Sequence, residues 1–275
     1  MPQVTANGIR ISYEERGRGP AAVWAHGLCG TLRTWEGIMA RLQDRCRVIA
    51  YDARGHGASE KPPDAAAYSQ DLMVEDLRGL LDALGVERAV VGGHSMGANV
   101  ALNVALRHPG RCLGLVAVGI GSGSSDPEEW RTSMGQTAEV AEREGMAATL
   151  EAMRRRPAWA PAFSRPDVAP LVTREVLGCD PQAIAHTIRG VQMRRPTIFQ
   201  LEEGLRRLPV PTLVVLGELD GPVLECSRFM AQRIPQAELV AIPGAGHWVH
   251  LEAPGPFLEA VERFVARLPL ERVRG

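Results

Sequence analysis

The segment Gly93-His94-Ser95-Met96-Gly97 constrains this chain more than any other. It follows the apolar run Ala89-Val90-Val91 and precedes a helix-like run from Ala98 to Leu106. A serine with glycine two residues to either side, set between strand and helix, fits a tight and strained turn. Such a turn packs its own backbone against the neighbouring strand and helix, so only hydrogen side chains fit at the crossing. It pushes the serine hydroxyl out at the end of a sheet, where a small molecule can reach it. With 29 glycines in the chain, a serine framed this way arises by accident in roughly one such sequence in ten. The surrounding pattern therefore has to carry the reading.

That pattern is an alternation. Two short strands joined at Asn7-Gly8 predict an opening hairpin, because this dipeptide suits the positive φ values of a tight turn. Then come a strand at Ala21 to Ala25, a helix near Thr34 to Leu42 and a strand at Arg47 to Tyr51. Met73, Leu77, Leu80, Leu81 and Leu84 recur at helical spacing and predict a helix over Ser69 to Leu84, with Ser69 as its N-cap and Gly85 as its stop. Strands follow at Ala89 to Gly92 and Leu113 to Val118. Continuous apolar strands alternating with amphipathic helices predict a parallel sheet covered on both faces.

From Gly121 to Arg207 the rhythm stops. This stretch reads as several short helices broken by Pro157, Pro161, Pro166, Pro170, Pro181 and Pro196. Strand and helix resume at Pro211 to Leu216 and Glu238 to Ile242. A terminal helix follows, with Phe257, Val261, Phe264, Val265 and Leu268 on one face. The expected organisation is one sheet domain, 1–120 and 208–275, with a helical cap inserted at 121–207. A length of 275 residues is within reach of such a domain.

Composition narrows the partners. A net charge of −1 gives no footing for nucleic acid or a membrane surface. Lys61 is the sole lysine against many arginines, a bias best read as genomic composition. The five cysteines are scattered, without a C-x-x-C pair or metal-ligand spacing, so neither a disulfide framework nor a metal site is expected. No leader-like start and no apolar run of membrane length stands out, so the expected location is cytoplasmic.

A serine hydroxyl is a weak nucleophile near neutral pH and needs a base, which needs an orienting carboxylate. After Ser95 the chain supplies both in order. Gly217-Glu218-Leu219-Asp220 ends an apolar strand and places an acid at its carboxyl edge. Gly244-Ala245-Gly246-His247 follows the last strand in the same way. Acyl chemistry also needs donors aimed at a developing oxyanion. The N–H of Met96, just after the serine, is one; that of Leu28, in His26-Gly27-Leu28-Cys29-Gly30, is the other.

With these residues in view, the chain resembles the α/β-hydrolase superfamily over essentially its full length. Within it, the chain is most similar to the branch of esterases, enol-lactonases and cofactor-free haloperoxidases that carry a helical cap. The resemblance rests on His26-Gly27, the run Asp52 to Ser59, the Ser95 turn, Gly217 to Asp220 and Gly246-His247. It implies a mostly parallel eight-stranded sheet, a triad of Ser95, Asp220 and His247, no cofactor and no metal. The implied activity is hydrolysis of a small to medium carboxylic ester or lactone through an acyl-enzyme. Serine at the turn, where the family's epoxide hydrolases and haloalkane dehalogenases carry aspartate, argues against those chemistries. His94 departs from the Gly-Asn-Ser that carbon–carbon bond hydrolases resemble at this point. A perhydrolase or haloperoxidase activity, a carbon–carbon bond hydrolase and a ligand-sensing protein on the same scaffold remain the alternatives.

Rival residues are few. His250 competes with His247 as base, and Asp126 with Asp220 as acid; the glycine loop and the strand end favour His247 and Asp220. His26, Arg54 and His56 are expected to brace loops, His94 to take no part in proton transfer, and Cys29 to be inert packing. Trp130, Trp159, Met193, Phe199 and Trp248 are the candidates for the substrate pocket, under an apolar roof. One arginine of the runs Arg154 to Arg156 or Arg194-Arg195, turned inward, would favour a substrate bearing a carboxylate.

Overall fold

The computed structural model describes residues 1–270; residues 271–275, which the sequence reading assigns to the core segment, lie outside the described part. Strands β1 (Gln3–Ala6) and β2 (Ile9–Arg16) form the opening hairpin. It turns at Asn7 and Gly8, with φ of 47° and 78°, the left-handed values that a two-residue hairpin turn requires. Strands β3 (Ala21–Ala25) and β4 (Arg47–Tyr51) flank helix α1 (Glu36–Leu42). A tighter 3₁₀ turn at Leu32–Trp35 takes up the first residues expected to be helical there.

Helix α2 (Gln70–Ala83) shows how local sequence and packing agree. The Ser69 hydroxyl accepts a 3.1 Å hydrogen bond from the Leu72 N–H, a cap worth about 1 kcal/mol. Met73, Leu77, Leu80 and Leu81 are buried, each contributing about 1.5–3 kcal/mol. Leu77→Ala would leave a cavity and cost about 2–5 kcal/mol.

Strand β5 (Ala89–His94), helix α3 (Met96–Arg107) and strand β6 (Cys112–Val118) follow. β5 runs past Gly92, where the sequence pattern ended it. The Trp24 ring fills the space a side chain on Gly92 would need, so a glycine is what the strand requires there. After β6 come α4 (Pro127–Glu144), α5 (Met146–Arg154), α6 (Ala160–Phe163), α7 (Ala169–Leu177), α8 (Pro181–Thr187) and a π turn at Ile188–Gln192. Pro161, Pro170 and Pro181, read as breakers, stand in the first turns of helices, where proline lacks only an N–H that would be unpaired anyway. Within this insertion α4 packs on α5 and α8, and α5 and α6 pack on α7.

Helix α9 (Glu202–Arg207) then returns to the sheet layer. Its Glu202 pairs with Arg233 of helix α10 (Gly221–Arg233), and Gly204 sits against Leu106 of α3. Strands β7 (Thr212–Gly217) and β8 (Ala237–Ile242) and helices α11 (Val249–Glu252) and α12 (Pro254–Arg267) complete the chain. Among the described residues eight strands form one sheet in the order β1-β2-β4-β3-β5-β6-β7-β8, parallel from β4 to β8. One face is covered by α2, α3 and α10 together with the insertion, the other by α1 and α12. The carboxyl ends of β3, β5, β7 and β8 therefore open toward one edge, where parallel sheets place ligands.

Candidate active site

Ser95 follows β5 directly, with φ 51° and ψ −108°, a conformation far from the regions side chains prefer. The surroundings over-determine it. A Cβ on Gly93 would collide with the Gly97 carbonyl group, and one on Gly97 with the Ala25 carbonyl oxygen. The Ser95 N–H donates to Val118 O at 2.8 Å, and Asn99 donates to Ser95 O through both its backbone and its side chain. The hydroxyl is left free at the N-terminus of α3, on the wall of a cavity of about 360 Å³.

Asp220 and His247 arrive from the ends of β7 and β8. Their loops are laced together: Glu218 N–H donates to Ile242 O at 3.1 Å and Leu219 N–H to Ala245 O at 2.9 Å. His247 Nδ1 lies 2.6 Å from Asp220 Oδ2, both side chains being buried. With Nδ1–H donating, Nε2 carries the lone pair, and His247 lines the same cavity as Ser95. No hydrogen bond joins Ser95 Oγ to His247 in this structure, though both residues line the same cavity. Asp220 Oδ1 is buried without a partner among the described residues, so the imidazole is the carboxylate's one hydrogen-bond donor there.

Leu28 also lines the cavity. Neither its N–H nor that of Met96 donates to another group among the described residues. The Leu28 loop is braced by the residues expected to do so. His26 Nε2 accepts from Ala53 N–H at 2.9 Å while Nδ1 donates to Gly27 O at 2.7 Å. His56 Nε2 accepts from Cys29 N–H, and Arg54 makes two bonds, 2.6 and 2.8 Å, to the buried Asp76. Burial lowers His26 to about 4 and His56 to about 3. Both rings are thus neutral and fixed in one tautomer.

The rival candidates sit differently. Asp126 caps α4, its Oδ1 accepting the Glu129 N–H at 3.0 Å, and stands exposed at the cavity rim without a bond to His247. His250 is stacked on Trp35 at 4.6 Å, with both ring nitrogens unpartnered among the described residues, and does not line the cavity.

The pocket candidates divide. Trp130 and Trp159 line the cavity, and the Trp159 ring stacks on His247 at 5.9 Å and 20°. Three placements need correcting. Met193 lies in a separate small cleft beside Trp130; the π turn shifts the helical phase, and Gln192 takes the place on the cavity wall. Phe199 packs edge-on against Phe229 of α10 at 4.9 Å, away from Ser95. Trp248 is core, 1% exposed, against His94 and Trp159. The roof is also more polar than expected, since Ser122, Ser125, Ser133, Gln192 and Arg156 join its wall.

Two supporting contacts escaped the sequence reading. Glu252 Oε2 accepts the Gly246 N–H at 2.6 Å and Oε1 the Trp248 N–H at 2.9 Å, so one carboxylate holds the backbone on both sides of His247. The His247 N–H donates to Ala158 O of the insertion at 3.0 Å. An acid five residues after His247 was the available signal for the first; the second is a backbone contact and left none.

The alpha/beta hydrolase fold model matches residues 23–254. A 2-hydroxymuconate semialdehyde hydrolase of Pseudomonas putida is 31% identical, covering 96% of this chain and 93% of its own. A putative carbamate hydrolase of a Caulobacter species is 32% identical over 97% and 98%. Among solved structures, the enol-lactonase from Burkholderia xenovorans superposes with a TM-score of 0.85 at 27% identity, covering 96% of this chain and all of that one. A thermophilic esterase from Thermogutta terrifontis gives 0.87 at 29% identity over 97% and 98%.

Proposed function

The chain belongs to the α/β-hydrolase family and is a hydrolase, and on that premise we propose that it cleaves a small to medium carboxylic ester or lactone through a Ser95 acyl-enzyme. The observation that carries this reading is a strained serine and a carboxylate-oriented imidazole opening into one cavity. Ser95 Oγ attacks the carbonyl carbon as His247 Nε2 takes its proton. Asp220 holds Nδ1–H and stabilises the imidazolium that forms. The free N–H groups of Leu28 and Met96, with the N-terminus of α3, receive the oxyanion. Collapse expels the alcohol with the proton from Nε2; water then enters, loses a proton to His247 and releases the acid. The inserted helices act as a lid that selects the acyl chain, with Trp130 and Trp159 on its inner face.

A second reading is cleavage of a carbon–carbon bond beside a carbonyl, favoured by the 31% identity to the Pseudomonas putida hydrolase. The same attack serves both, and the leaving group differs. One experiment separates them. Under the ester reading, a fluorophosphonate adds once to intact protein at Ser95, and p-nitrophenyl esters turn over many times per site. A single burst with a stable acyl adduct would speak for a sensor, and turnover confined to a vinylogous diketone for the carbon–carbon reading.

A further inference from the structure

Of the arginine run 154–156, Arg156 is the one that turns toward the reaction cavity. It stands on the strap between α5 and α6, half-buried, on a wall shared with Ser95, Trp159 and His247. Its anchoring is unusual for a guanidinium. Nη2 donates to Ser133 Oγ at 3.1 Å and to Thr137 Oγ1 at 2.9 Å, and both acceptors are neutral hydroxyls of α4. The Thr137 hydroxyl is itself fixed, donating to Ser133 O at 2.9 Å. The guanidinium is therefore held in place by hydroxyls, with no carboxylate in direct contact among the described residues.

No carboxylate comes within 4 Å of Arg156 among the described residues, and its Nε and Nη1 hydrogens donate to no protein group. By contrast, Arg154 of the same run meets Glu151, and Arg189 of the insertion meets Glu142. Burial pushes the pKa of Arg156 down, with Glu129 partly offsetting it; the group stays charged at neutral pH. A partly desolvated cation with spare donors is costly unless something pairs with it. The acids nearest the cavity do not supply the partner. Asp126 is spent capping α4, and Glu129, which shares the cavity wall and acts on Arg156 through its charge, makes no ion pair with it within 4 Å among the described residues.

We infer that Arg156 is an anion subsite of the reaction cavity, and that the natural substrate carries a carboxylate remote from the bond that is cleaved. This rests on the serine-hydrolase reading of the cavity and adds the charge of the substrate to it. The chemical class is a half-ester of a dicarboxylic acid or a carboxylated lactone. Arg156 stands on the strap between α5 and α6, a different element from the loop and helix that carry the N–H groups of Leu28 and Met96. The hydroxyls of Ser133 and Thr137 fix the distance at which the charge is met.

The test pairs two esters with the same leaving group, mono-p-nitrophenyl glutarate and p-nitrophenyl butyrate, with wild type, Arg156→Gln and Arg156→Lys. Wild type prefers the glutarate in kcat/KM. In Arg156→Gln the glutarate-to-butyrate ratio falls by about 30-fold or more, chiefly through KM, and Arg156→Lys restores much of it. Wild type without such a preference, or an equal loss on both esters, overturns the subsite. Binding of monomethyl glutarate, measured calorimetrically on Ser95→Ala with and without Arg156→Gln, needs no turnover. Binding that vanishes with Arg156 supports the subsite even if neither ester is hydrolysed, a result that would instead sink the ester-hydrolase reading. Binding unaffected by the substitution overturns the subsite whatever the kinetics. Thermal unfolding of each variant confirms that the comparison is made between folded proteins.

Discussion

The carbonyl oxygen of His247 accepts a 2.8 Å hydrogen bond from Nε2 of His94, the residue immediately before Ser95. That bond fixes the proton on Nε2 and leaves Nδ1 bare and buried without a partner among the described residues. Burial, with His250 and His247 nearby, pushes the His94 pKa well below the usual histidine range. The ring is thus a permanent neutral donor, tying the strand that presents the serine to the loop that presents the imidazole. The spacing between nucleophile and base is set by a side chain as well as by the sheet.

His94→Phe keeps a planar ring in that space and removes the donor. We expect kcat to fall roughly 10- to 100-fold with KM nearly constant, since loss of a buried bond worth about 1–3 kcal/mol displaces the base and penalises proton transfer in the transition state without touching substrate binding. Steady-state rates on p-nitrophenyl butyrate check this. A kcat within twofold of wild type would mean that the sheet alone sets the spacing.

Ser95→Ala should fold normally and lose ester turnover by about 10⁴-fold or more. Peptide mapping after fluorophosphonate treatment should find the adduct on Ser95 in wild type and nowhere in the variant. An adduct at another serine would move the nucleophile.

The assignment of the acid rests on the 2.6 Å contact between His247 and Asp220. Asp220→Asn removes the charge that stabilises the imidazolium and should lower kcat by roughly 10³- to 10⁴-fold, by analogy with protease triads. Asp126→Asn retains a helix-capping side chain and should stay within about tenfold of wild type. Rates compared at one fixed pH decide the order; the reverse order would transfer the role to Asp126.

Chain-length selection should follow the cavity wall. Trp159→Ala and Trp130→Ala should each shift the ratio of rates on long and short acyl esters by about tenfold, as expected when a few methylenes gain space. Phe199→Leu, off the cavity against Phe229, should leave that ratio unchanged. A change at Phe199 equal to that at Trp159 would remove the lid from selectivity.

The sheet and the candidate triad were legible because their signals are local. Alternating apolar runs mark strands; Gly93, Gly97, Gly217 and Gly246 each answer to a backbone collision, and Gly244 to a φ of 70°. The inner face of the insertion was not legible in the same way. A tryptophan in a helical stretch has the same hydrophobicity whether it meets a cavity, as Trp159 does, or a neighbouring ring, as Trp248 does. Met193 was misplaced by a π turn that no residue pattern announces. Arg156 differs from Arg154 in which acceptors the strap beyond α5 brings near, and those hydroxyls lie about twenty residues earlier in the chain.

His250 offers a prediction about stability rather than rate. Its ring is 5% exposed, stacked on Trp35 and close to His94, and neither nitrogen has a partner among the described residues. Burial, with the repulsion of His247, lowers its pKa to about 3, against about 6.5 for an unfolded histidine. As pH falls below 6.5 the unfolded chain takes up a proton that the folded ring refuses. The stability is therefore complete above pH 6.5 and drains away as pH falls toward 3. Between pH 7 and pH 5 this one group costs about 2 kcal/mol. His26, His56 and His94 add to the loss in the same direction. The buried carboxyls of Asp52, Glu175 and Glu252, raised by burial, bind protons first in the folded state and oppose it. The whole-protein slope mixes these contributions, so the informative quantity is a difference. His250→Phe fills the same stacked site with a ring that cannot be protonated. Urea unfolding of both proteins should show the variant gaining about 2 kcal/mol on wild type between pH 7 and pH 5. A gap that stays constant with pH would mean that the folded state protonates His250 as readily as the unfolded chain does, and that the ring is wetter than its packing against Trp35 implies.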